Sequence, residues 1–221
     1  MKLAILIPAL DEALSLPGVL AGIPLGHRVL VCDNGSTDNS AELARAAGVE
    51  VLSALRRGYG TAVLAGIAAL QAAPPEVVVI WDADLSVDPG DLDALLQPIQ
   101  EGRADLVLGA RLAPDPGALT LQQIWGNRLA TALIARRTGV HFADMGPFRA
   151  IRYPALMALG MQDPSWGWNV EMQLKALRAG LRVCEVPVHC RQRVGQSKIS
   201  GSLKGSLRAG FRMIQACWRY R

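Results

Sequence analysis

Val77-Val78-Val79-Ile80-Trp81-Asp82-Ala83-Asp84 is the stretch that decides the fold predicted for this chain. Its apolar run is short and rich in β-branched residues, which is typical of a strand buried on both faces. Open α/β sheets bind ligands in the crevice at the carboxyl ends of their strands. Asp82 and Asp84 would then offer hard oxygen ligands to Mg²⁺ or Mn²⁺ that also holds a diphosphate. The alternative is a strand-end turn with solvated or capping aspartates.

Strand and helix patterns alternate on both sides of this stretch. Short apolar runs predict further strands at Leu3–Ile7, Arg28–Cys32, Val49–Ser53, Leu106–Gly109 and Leu181–Val188. Helical periodicity and end signals predict helices at Glu12–Leu20, Asn39–Ala47, Tyr59–Ala72, Leu121–Arg137 and Asn169–Ala179. Asp88 and Asp91 precede one more helix and are assigned to its capping, not to chemistry. The alternation predicts an α/β fold with a mostly parallel sheet and helices on both faces.

The composition is that of a folded domain with an uneven charge. Of the 221 residues, 51% are hydrophobic and 19% are charged, which excludes a disordered protein. No apolar run has the length of a membrane-spanning helix. Between Pro187 and Arg221 there are eight basic residues and no acidic one, whereas the preceding part has a net charge of −4. We expect one domain over residues 1–200, a basic segment over residues 201–221, and an anionic partner other than nucleic acid.

The basic segment has the pattern of an amphipathic helix. One apolar stripe, with spacings of four, four, three and four, consists of Leu203, Leu207, Phe211, Ile214 and Trp218. Basic residues fall on the stripe beside it. Such a helix is typical of binding to an anionic membrane surface. Two alternatives are that the stripe packs on the domain and that it docks on a transmembrane partner.

The cysteines indicate a reducing compartment. Cys32, Cys184, Cys190 and Cys217 have no Cys-x-x-Cys spacing, and the first two lie in apolar runs. The apolar run that follows Met1 is too short for a secretory signal and is read as the first strand. We therefore expect a cytoplasmic protein that is peripheral at the cytosolic face of the membrane.

Polar residues also follow the first two predicted strands. Pro8-Ala9-Leu10-Asp11-Glu12 follows the first, and Asp33-Asn34-Gly35-Ser36-Thr37-Asp38 follows the second. Their carboxylates are expected on the same side as the aspartate pair. Asp33 could accept hydrogen bonds from a base or from ribose, or it could be a turn aspartate that binds its own backbone. In Arg56-Arg57-Gly58-Tyr59-Gly60-Thr61, the glycines permit close approach to a ligand, and the helix start that follows favours an anion.

Together, in this order and spacing, these motifs resemble the family 2 glycosyltransferases of GT-A fold, and within them the polyprenyl- or dolichyl-phosphate sugar synthase branch. That branch has P-x-x-N-E, D-D-G-S-x-D, G-x-G-x-A, D-A-D and G-x-R. The corresponding stretches here are Pro8–Glu12, Asp33–Asp38, Gly58–Ala62, Asp82–Asp84 and Gly109–Arg111. Asp144–Arg149 and Arg193–Lys198 are similar to its D-x-x-(S/G)-F-R and R-x-G-x-S-K stretches. The resemblance extends over about residues 3 to 200.

The resemblance implies a nucleotide-diphospho-sugar donor and a role for each matched residue. The nucleoside would be held by Pro8, Ala9, Glu12 and Asp33 on one side, and by Gly58 and Gly60 on the other. Asp82 and Asp84 would hold ribose and a metal, Mg²⁺ or Mn²⁺, which neutralises the leaving diphosphate. The acceptor phosphate and the diphosphate oxygens would be held by Arg111, Arg149, Arg193, Ser197 and Lys198. By analogy with this branch, we expect inversion at the sugar carbon.

The chain departs from the pattern of the branch at several positions. Asp11 and Asn34 stand where Asn and Asp are usual, and Ser86 stands where a metal-binding amide is often found. The arginine that usually precedes the region of Gly126 and Asn127 is absent. These departures leave open a third side-chain ligand for the metal and the contacts to the acceptor.

The acceptor decides whether a general base is needed. A hydroxyl acceptor needs one, whereas a phosphate monoester loses its second proton near a pKa of ~6 and arrives as a nucleophile. Glu171 lies roughly where hydroxyl-using relatives keep a catalytic carboxylate; the alternative is an exposed carboxylate or an ion-pair partner. Trp125, Trp166 and Trp168 could stack on sugar, but core packing is the expected role of at least two of them.

The resulting prediction is a metal-dependent inverting glycosyltransferase that moves a sugar from a nucleotide-diphospho-sugar to a polyprenyl phosphate. One alternative is transfer to a hydroxyl on a soluble small molecule or glycan. Another is a non-catalytic nucleotide-binding subunit of a membrane complex. The basic segment and the Arg193–Lys198 stretch favour the lipid phosphate over a soluble acceptor.

Overall fold

The computed structural model describes residues 1–54, 56–195 and 203–220, and only the backbone of residues 203–209. Its strands are β1 (Leu3–Ala9), β2 (Arg28–Asp33), β3 (Glu50–Ser53), β4 (Val77–Ile80), β5 (Leu106–Ala110), β6 (Arg149–Arg152) and β7 (Val183–Pro187). Its α-helices are α1 (Leu16–Gly22), α2 (Ser40–Ala46), α3 (Tyr59–Leu70), α4 (Leu92–Gln100), α5 (Leu121–Thr138), α6 (Tyr153–Leu159), α7 (Trp168–Arg178) and α8 (Leu203–Arg219). The sequence predicted most of these elements, within a few residues at their ends.

The strands form one sheet in the order β3-β2-β1-β4-β6-β5-β7. All neighbours are parallel except β6, which is antiparallel to both β4 and β5. The sequence did not predict β6, because it is only four residues long and has arginine at both ends. Its insertion separates β4 from β5 and places Arg149 opposite Ile80 at the end of β4.

Side chains of the central strands alternate between two cores, as expected of strands covered on both faces. In β1, Ala4 and Leu6 contribute to one core, and Ile5 and Ile7 to the other. The first core is covered by α3, α5, α6, α7 and α8, and the second by α1, α2 and α4. In the register of the sheet, Ala9 lies opposite Asp33 and Leu6 opposite Ile80. The segments that leave β1, β2 and β4 therefore emerge side by side at one edge.

Only one of the two predicted capping aspartates caps a helix. The Asp88 carboxylate accepts a hydrogen bond from the Gly90 N–H at 2.9 Å, at the start of a short 3₁₀ turn before α4. The Asp91 carboxylate makes no cap hydrogen bond and instead accepts from the backbone N–H of His189 at 2.6 Å. The capping role assigned to Asp91 is therefore corrected: this buried carboxylate ties α4 to the segment that follows β7.

The helix of the basic segment, α8, packs against the first core. Ala216, Cys217 and Tyr220 are buried there, and α8 lies against α5 and α7. Of the predicted apolar stripe, Phe211 and Trp218 are exposed and Ile214 is partly buried, while the side chains of Leu203 and Leu207 lie outside the described part of the structure. In the part of the chain that the structure describes, no helix combines the length and the apolar character that crossing a bilayer requires.

Candidate active site

The aspartate pair lies at the carboxyl end of β4, as predicted. Burial, together with the charge of Asp84, raises the pKa of Asp82 from 3.8 to about 7. The hydroxyl of Tyr59, the first residue of α3, donates to Asp82 Oδ1 at 3.1 Å. Directly after Asp84, Leu85 has a φ of 58°, a left-handed conformation that non-glycine residues rarely adopt and that is concentrated at functional sites.

A guanidinium group bridges this loop to the end of β1. Arg193 Nη2 donates to Glu12 Oε1 at 2.8 Å, and Arg193 Nη1 lies 3.5 Å from Asp84 Oδ2. The backbone of the same segment is fixed to the aspartate loop, because the Val194 N–H donates to the Asp84 carbonyl at 3.0 Å. The structure thus brings together three predicted residues that are far apart in sequence. Ser197 and Lys198 lie outside the described residues.

Among the described residues, the carboxylates expected to hold a divalent cation are those of Asp82 and Asp84. Within the described ranges, there is no cluster of three or more His, Cys, Asp or Glu side chains suited to a metal. Mg²⁺ usually takes only one or two protein carboxylates and completes its shell with water and phosphate oxygens. Burial is the larger cause of the raised pKa of Asp82 and the charge of Asp84 adds to it, while the Arg193 guanidinium lies 3.5 Å from Asp84 Oδ2. The site therefore fits a cation that is shared with a diphosphate.

The predicted nucleoside residues lie together at the ends of β1 and β2. Pro8 and Ala9 are buried in β1, and the Ala9 carbonyl accepts from the Asn34 N–H at 2.8 Å. Asp33 is 8% exposed, and its carboxylate accepts from the N–H groups of Gly35 and Ser36 at 3.3 and 3.2 Å. These bonds are those of a turn aspartate, the alternative that the sequence had left open.

Two departures from the family pattern have local reasons. The Asn34 side-chain oxygen accepts from the Gly58 N–H at 2.7 Å, while its Nδ2 donates to the Arg56 carbonyl at 3.2 Å. A carboxylate has no hydrogen to donate, so only the amide makes both bonds. Asp11 Oδ1 accepts from the Thr37 N–H at 2.6 Å and so joins the loops that follow β1 and β2. Neither link was predicted, because the partners of Asn34 and Asp11 lie on loops that are distant in sequence.

Gly58 and Gly60 make room for the chain itself. A Cβ atom at Gly58 would clash with the carbonyl oxygen of Pro164, and one at Gly60 would clash with the carbonyl oxygen of Asp163. The Thr61 N–H donates to that Pro164 oxygen at 3.1 Å. The close approach expected from these glycines is thus made by the segment of residues 161–167, which precedes α7 and covers the start of α3.

Glu171 holds this covering segment in place. Its side chain is fully buried, and its two oxygens accept from the N–H groups of Gln162 and Asp163 at 2.8 and 2.7 Å. Lys175 Nζ, one turn further along α7, lies 2.7 Å from Glu171 Oε1. Both oxygens are engaged inside the protein and neither faces solvent, which favours a structural role, and the catalytic role expected of Glu171 stays a prediction. The ion pair with Lys175 is one of the two alternatives that the sequence left open for Glu171.

Arg111 and Arg149, two of the three arginines assigned to phosphate binding, have different environments. Arg111 makes a two-point pair with Asp144, with Nε–Oδ2 and Nη2–Oδ1 distances of 2.7 and 2.9 Å, and its side chain is 16% exposed. Burial alone would raise the pKa of Asp144, but the Arg111 guanidinium outweighs it and holds that pKa below 3.8. Arg111 therefore stays charged and oriented at the edge of the site.

Arg149 is fully buried and donates to the carbonyls of Met145, Gly146 and Asn169. Burial lowers its pKa to about 10. In the structure its guanidinium supports the segment of residues 144–149, and the phosphate contact expected of Arg149 stays a prediction. Trp168 is likewise buried, whereas Trp125 is 67% exposed, and of these two only Trp168 has the expected core role.

The comparisons with known proteins identify the family of the chain. The sequence model described as Glycosyl transferase family 2 matches residues 4–160. An uncharacterized glycosyltransferase of Mycobacterium tuberculosis is 43% identical over 92% of each chain. An undecaprenyl-phosphate mannosyltransferase of Micrococcus luteus is 31% identical over 93% of this chain and 90% of its own.

Among solved structures, one of glucosyl-3-phosphoglycerate synthase from Mycobacterium tuberculosis, in complex with Mn²⁺, UDP-glucose and phosphoglyceric acid, has a TM-score of 0.78. It covers 98% of this chain and 80% of its own at 23% identity, and it confirms the GT-A fold. The family match covers most of the chain, and both curated relatives extend over nearly all of it. The chain therefore belongs to glycosyltransferase family 2, as an enzyme of GT-A fold similar to the polyprenyl-phosphate sugar transferases.

Proposed function

We propose that this glycosyltransferase moves a sugar, with inversion, from a nucleotide-diphospho-sugar to a polyprenyl phosphate, and that the reaction depends on Mg²⁺ or Mn²⁺. The observation that carries the acceptor class is the position of Glu171. Both of its oxygens bind backbone N–H groups in the interior, so it is not placed to take a proton from a hydroxyl. A phosphate monoester needs no such base, because its second pKa of ~6 leaves it ionised at neutral pH. The relative from Micrococcus luteus, named for an undecaprenyl-phosphate acceptor, supports the same class.

The donor would lie along the edge formed by β1, β2 and β4. Asp82 and Asp84 would hold the cation, and when bound that cation neutralises charge on the leaving diphosphate. Glu12 and Asp33 would face the nucleoside, with Pro8 and Ala9 forming the floor and the Gly58–Gly60 turn the opposite wall. The Arg193 guanidinium pairs with the carboxylates of Glu12 and Asp84. A diphosphate is also negatively charged and could pair with the same guanidinium. Arg193, together with Ser197 and Lys198, would therefore bind the diphosphate.

The acceptor phosphate would meet Arg111. Its guanidinium is fixed by Asp144 on one side and remains partly exposed on the other, and a planar guanidinium suits phosphate oxygens. Arg149 would act one layer deeper, by holding the carbonyls of the segment that carries Asp144. A cytosolic-face, membrane-peripheral location would follow from such an acceptor.

The experiment that tests this proposal combines binding and transfer. A thermal-shift panel of UDP- and GDP-sugars, with and without Mn²⁺, identifies the donor, because a ligand of the native state raises the midpoint in proportion to its affinity. Transfer is then measured to a short-chain prenyl phosphate and to the corresponding prenol. Asp84→Ala should abolish Mn²⁺-dependent transfer, while Asp93→Ala, the same change at an exposed position of α4, should not. Metal-independent turnover by Asp84→Ala would exclude the metal role, and transfer to the prenol alone would exclude the acceptor.

The nucleoside side has its own test. Asp33→Ala should weaken donor binding by about 1.5–3 kcal/mol, the contribution of a hydrogen bond to a charged group. An unchanged affinity by calorimetry would show that Asp33 serves only the turn that it makes with Gly35 and Ser36.

A further inference from the structure

The outer side of α5 carries an apolar row that is largely exposed in the described part of the structure. Leu121, Trp125 and Leu129 are 73%, 67% and 48% exposed, and their spacing of four places them on one stripe of the helix. The inner side of the same helix is buried through Ala130 and Ile134. A row of exposed tryptophan and leucine side chains is unusual on a helix that already buries its other side in the core.

A second row adjoins the first. On α8, Phe211 and Trp218 are 66% and 55% exposed, although Ala216 and Cys217 beside them are buried in the core that α5 also covers. The two helices pack against each other, and the Arg137 guanidinium of α5 lies 4.4 Å from the centre of the Trp218 ring. Two helices that lie side by side over one core present their outer sides to the same region of solvent. We call Leu121, Trp125, Leu129, Phe211 and Trp218 the docking face.

The two helices that carry the docking face have exposed arginines and no acidic residue. Arg128 and Arg137 of α5 lie over the rings of Trp125 and Trp218, at 5.7 and 4.4 Å from the ring centres. Further exposed arginines on these helices are Arg136, Arg212 and Arg219. Tryptophan, phenylalanine and leucine flanked by arginine and lysine are the composition of helices that lie in the interface of anionic bilayers.

We propose that the docking face rests on an anionic lipid bilayer, with its aromatic and leucine side chains in the headgroup boundary and the flanking arginines on lipid phosphates. This inference rests on the proposed function, because an enzyme that uses a polyprenyl acceptor must meet that acceptor at the bilayer. The inner side of α5 makes the connection: Asn127 Oδ1 accepts from the Met145 N–H at 2.7 Å, next to the Asp144 that fixes Arg111. Docking of α5 therefore brings the phosphate-binding end of the site to the membrane surface.

Vesicle binding of the full chain tests the docking face directly. Co-sedimentation is measured with vesicles of phosphatidylcholine and phosphatidylglycerol, and with phosphatidylcholine alone, at low and high salt and without donor. Trp125→Glu and Phe211→Glu should each weaken binding to the anionic vesicles by about ten-fold or more, which corresponds to about 1.4 kcal/mol. Leu25→Glu is the matched control, since Leu25 is 99% exposed in the loop before β2 and should bind as the unaltered protein does. Truncation before α8 is not a suitable test, because it would uncover the core around Ala216 and Cys217.

Each result supports or overturns the proposal. Loss of binding in both docking-face variants, with thermal midpoints equal to that of Leu25→Glu, supports it. Failure of the unaltered protein to bind anionic vesicles at low salt overturns it, and so does equal binding by all variants. A dimer that dissociates in Trp125→Glu while vesicle binding persists would identify the face as an interface between copies of this chain. Transfer to a water-soluble short-chain prenyl phosphate separates the two proposals, because it should survive in the docking-face variants if the proposed function holds.

Discussion

Replacing Glu171 with glutamine separates a catalytic carboxylate from one that holds the covering segment. In the structure the carboxylate accepts two backbone N–H groups, those of Gln162 and Asp163, and pairs with Lys175 Nζ at 2.7 Å. A glutamine offers one acceptor oxygen in place of two. Its NH₂ group would then face either a backbone N–H or the Lys175 ammonium. Two hydrogen-bond donors would point at each other inside the protein, with no acceptor between them.

The expected loss follows from these contacts. Removing one member of a buried ion pair costs about 3–5 kcal/mol, and because the Lys175 side chain is 21% exposed and can turn to water, we expect a value near ~3 kcal/mol. For a chain of this length, 1 kcal/mol shifts the thermal midpoint by about 2–4 °C, so the midpoint of Glu171→Gln should fall by about 6–12 °C. The loosened segment contacts α3 through Pro164 and Thr61, so the KM for the donor should rise while kcat is largely kept.

The assay measures thermal midpoint, kcat and donor KM in parallel, at a temperature well below either midpoint. Glu42→Gln is the control: it makes the same chemical change in an exposed pair with Arg45, at 3.9 Å, where such pairs contribute about 0–1 kcal/mol. A normal midpoint for Glu171→Gln together with a fall in kcat of about 10²–10⁴, the usual contribution of a positioned base, would refute the reasoning and restore the catalytic role.

Three further predictions concern stability and the site. The pKa of Asp82 is raised from 3.8 to about 7 in the folded protein, so Asp82 ionises in the unfolded chain first as the pH rises. The metal-free protein therefore loses stability between about pH 4 and 7. Asp82→Asn should raise the metal-free thermal midpoint at pH 8 but not at pH 4, and equal midpoints of variant and unaltered protein at pH 8 would contradict this. Gly60→Ala should displace the carbonyl of Asp163 and weaken donor binding in calorimetry, whereas an unchanged affinity would show that this contact is not needed. Arg111→Lys loses the two-point pair with Asp144, whose pKa is lowered by that pair. The loss in free energy of unfolding, measured by urea denaturation, should be full near pH 7 and should shrink as the pH falls below 3.8. A loss that does not depend on pH would mean that the ion pair contributes nothing.

The sequence was sufficient for the elements whose signal is local. The apolar run Val77–Ile80 and the alternation of short apolar runs with helical periodicity predicted the parallel strands and most of the helices. The position of Asp82 and Asp84 at a strand end, on the same side as Glu12 and Asp33, followed from the rule that parallel strands present their carboxyl ends together. β6 was not predicted, since four residues between two arginines carry no periodicity that a sequence can display.

The roles of individual side chains depended on partners that are distant in sequence. Glu171 and Arg149 were assigned to chemistry by motif, yet the fold buries both and turns them toward backbone groups. The same holds for Gly60, whose missing side chain makes space for Asp163, more than a hundred residues further on. Contacts across such separations are set by how the helices pack on the sheet, which local patterns do not encode.

What the sequence by itself determined is the parallel strands, the family motifs and the acid-free stretch of residues 187–221, because each is a property of neighbouring residues or of their spacing. Only the tertiary structure decided that α5 and α8 lie side by side, with Arg137 over Trp218, and that Arg193 reaches both Glu12 and Asp84. The physical reason is that a periodic pattern predicts which face of an element is apolar but not which other element covers it. Packing on a common core selects the face that is buried, and the apolar residues left outside become a surface of their own.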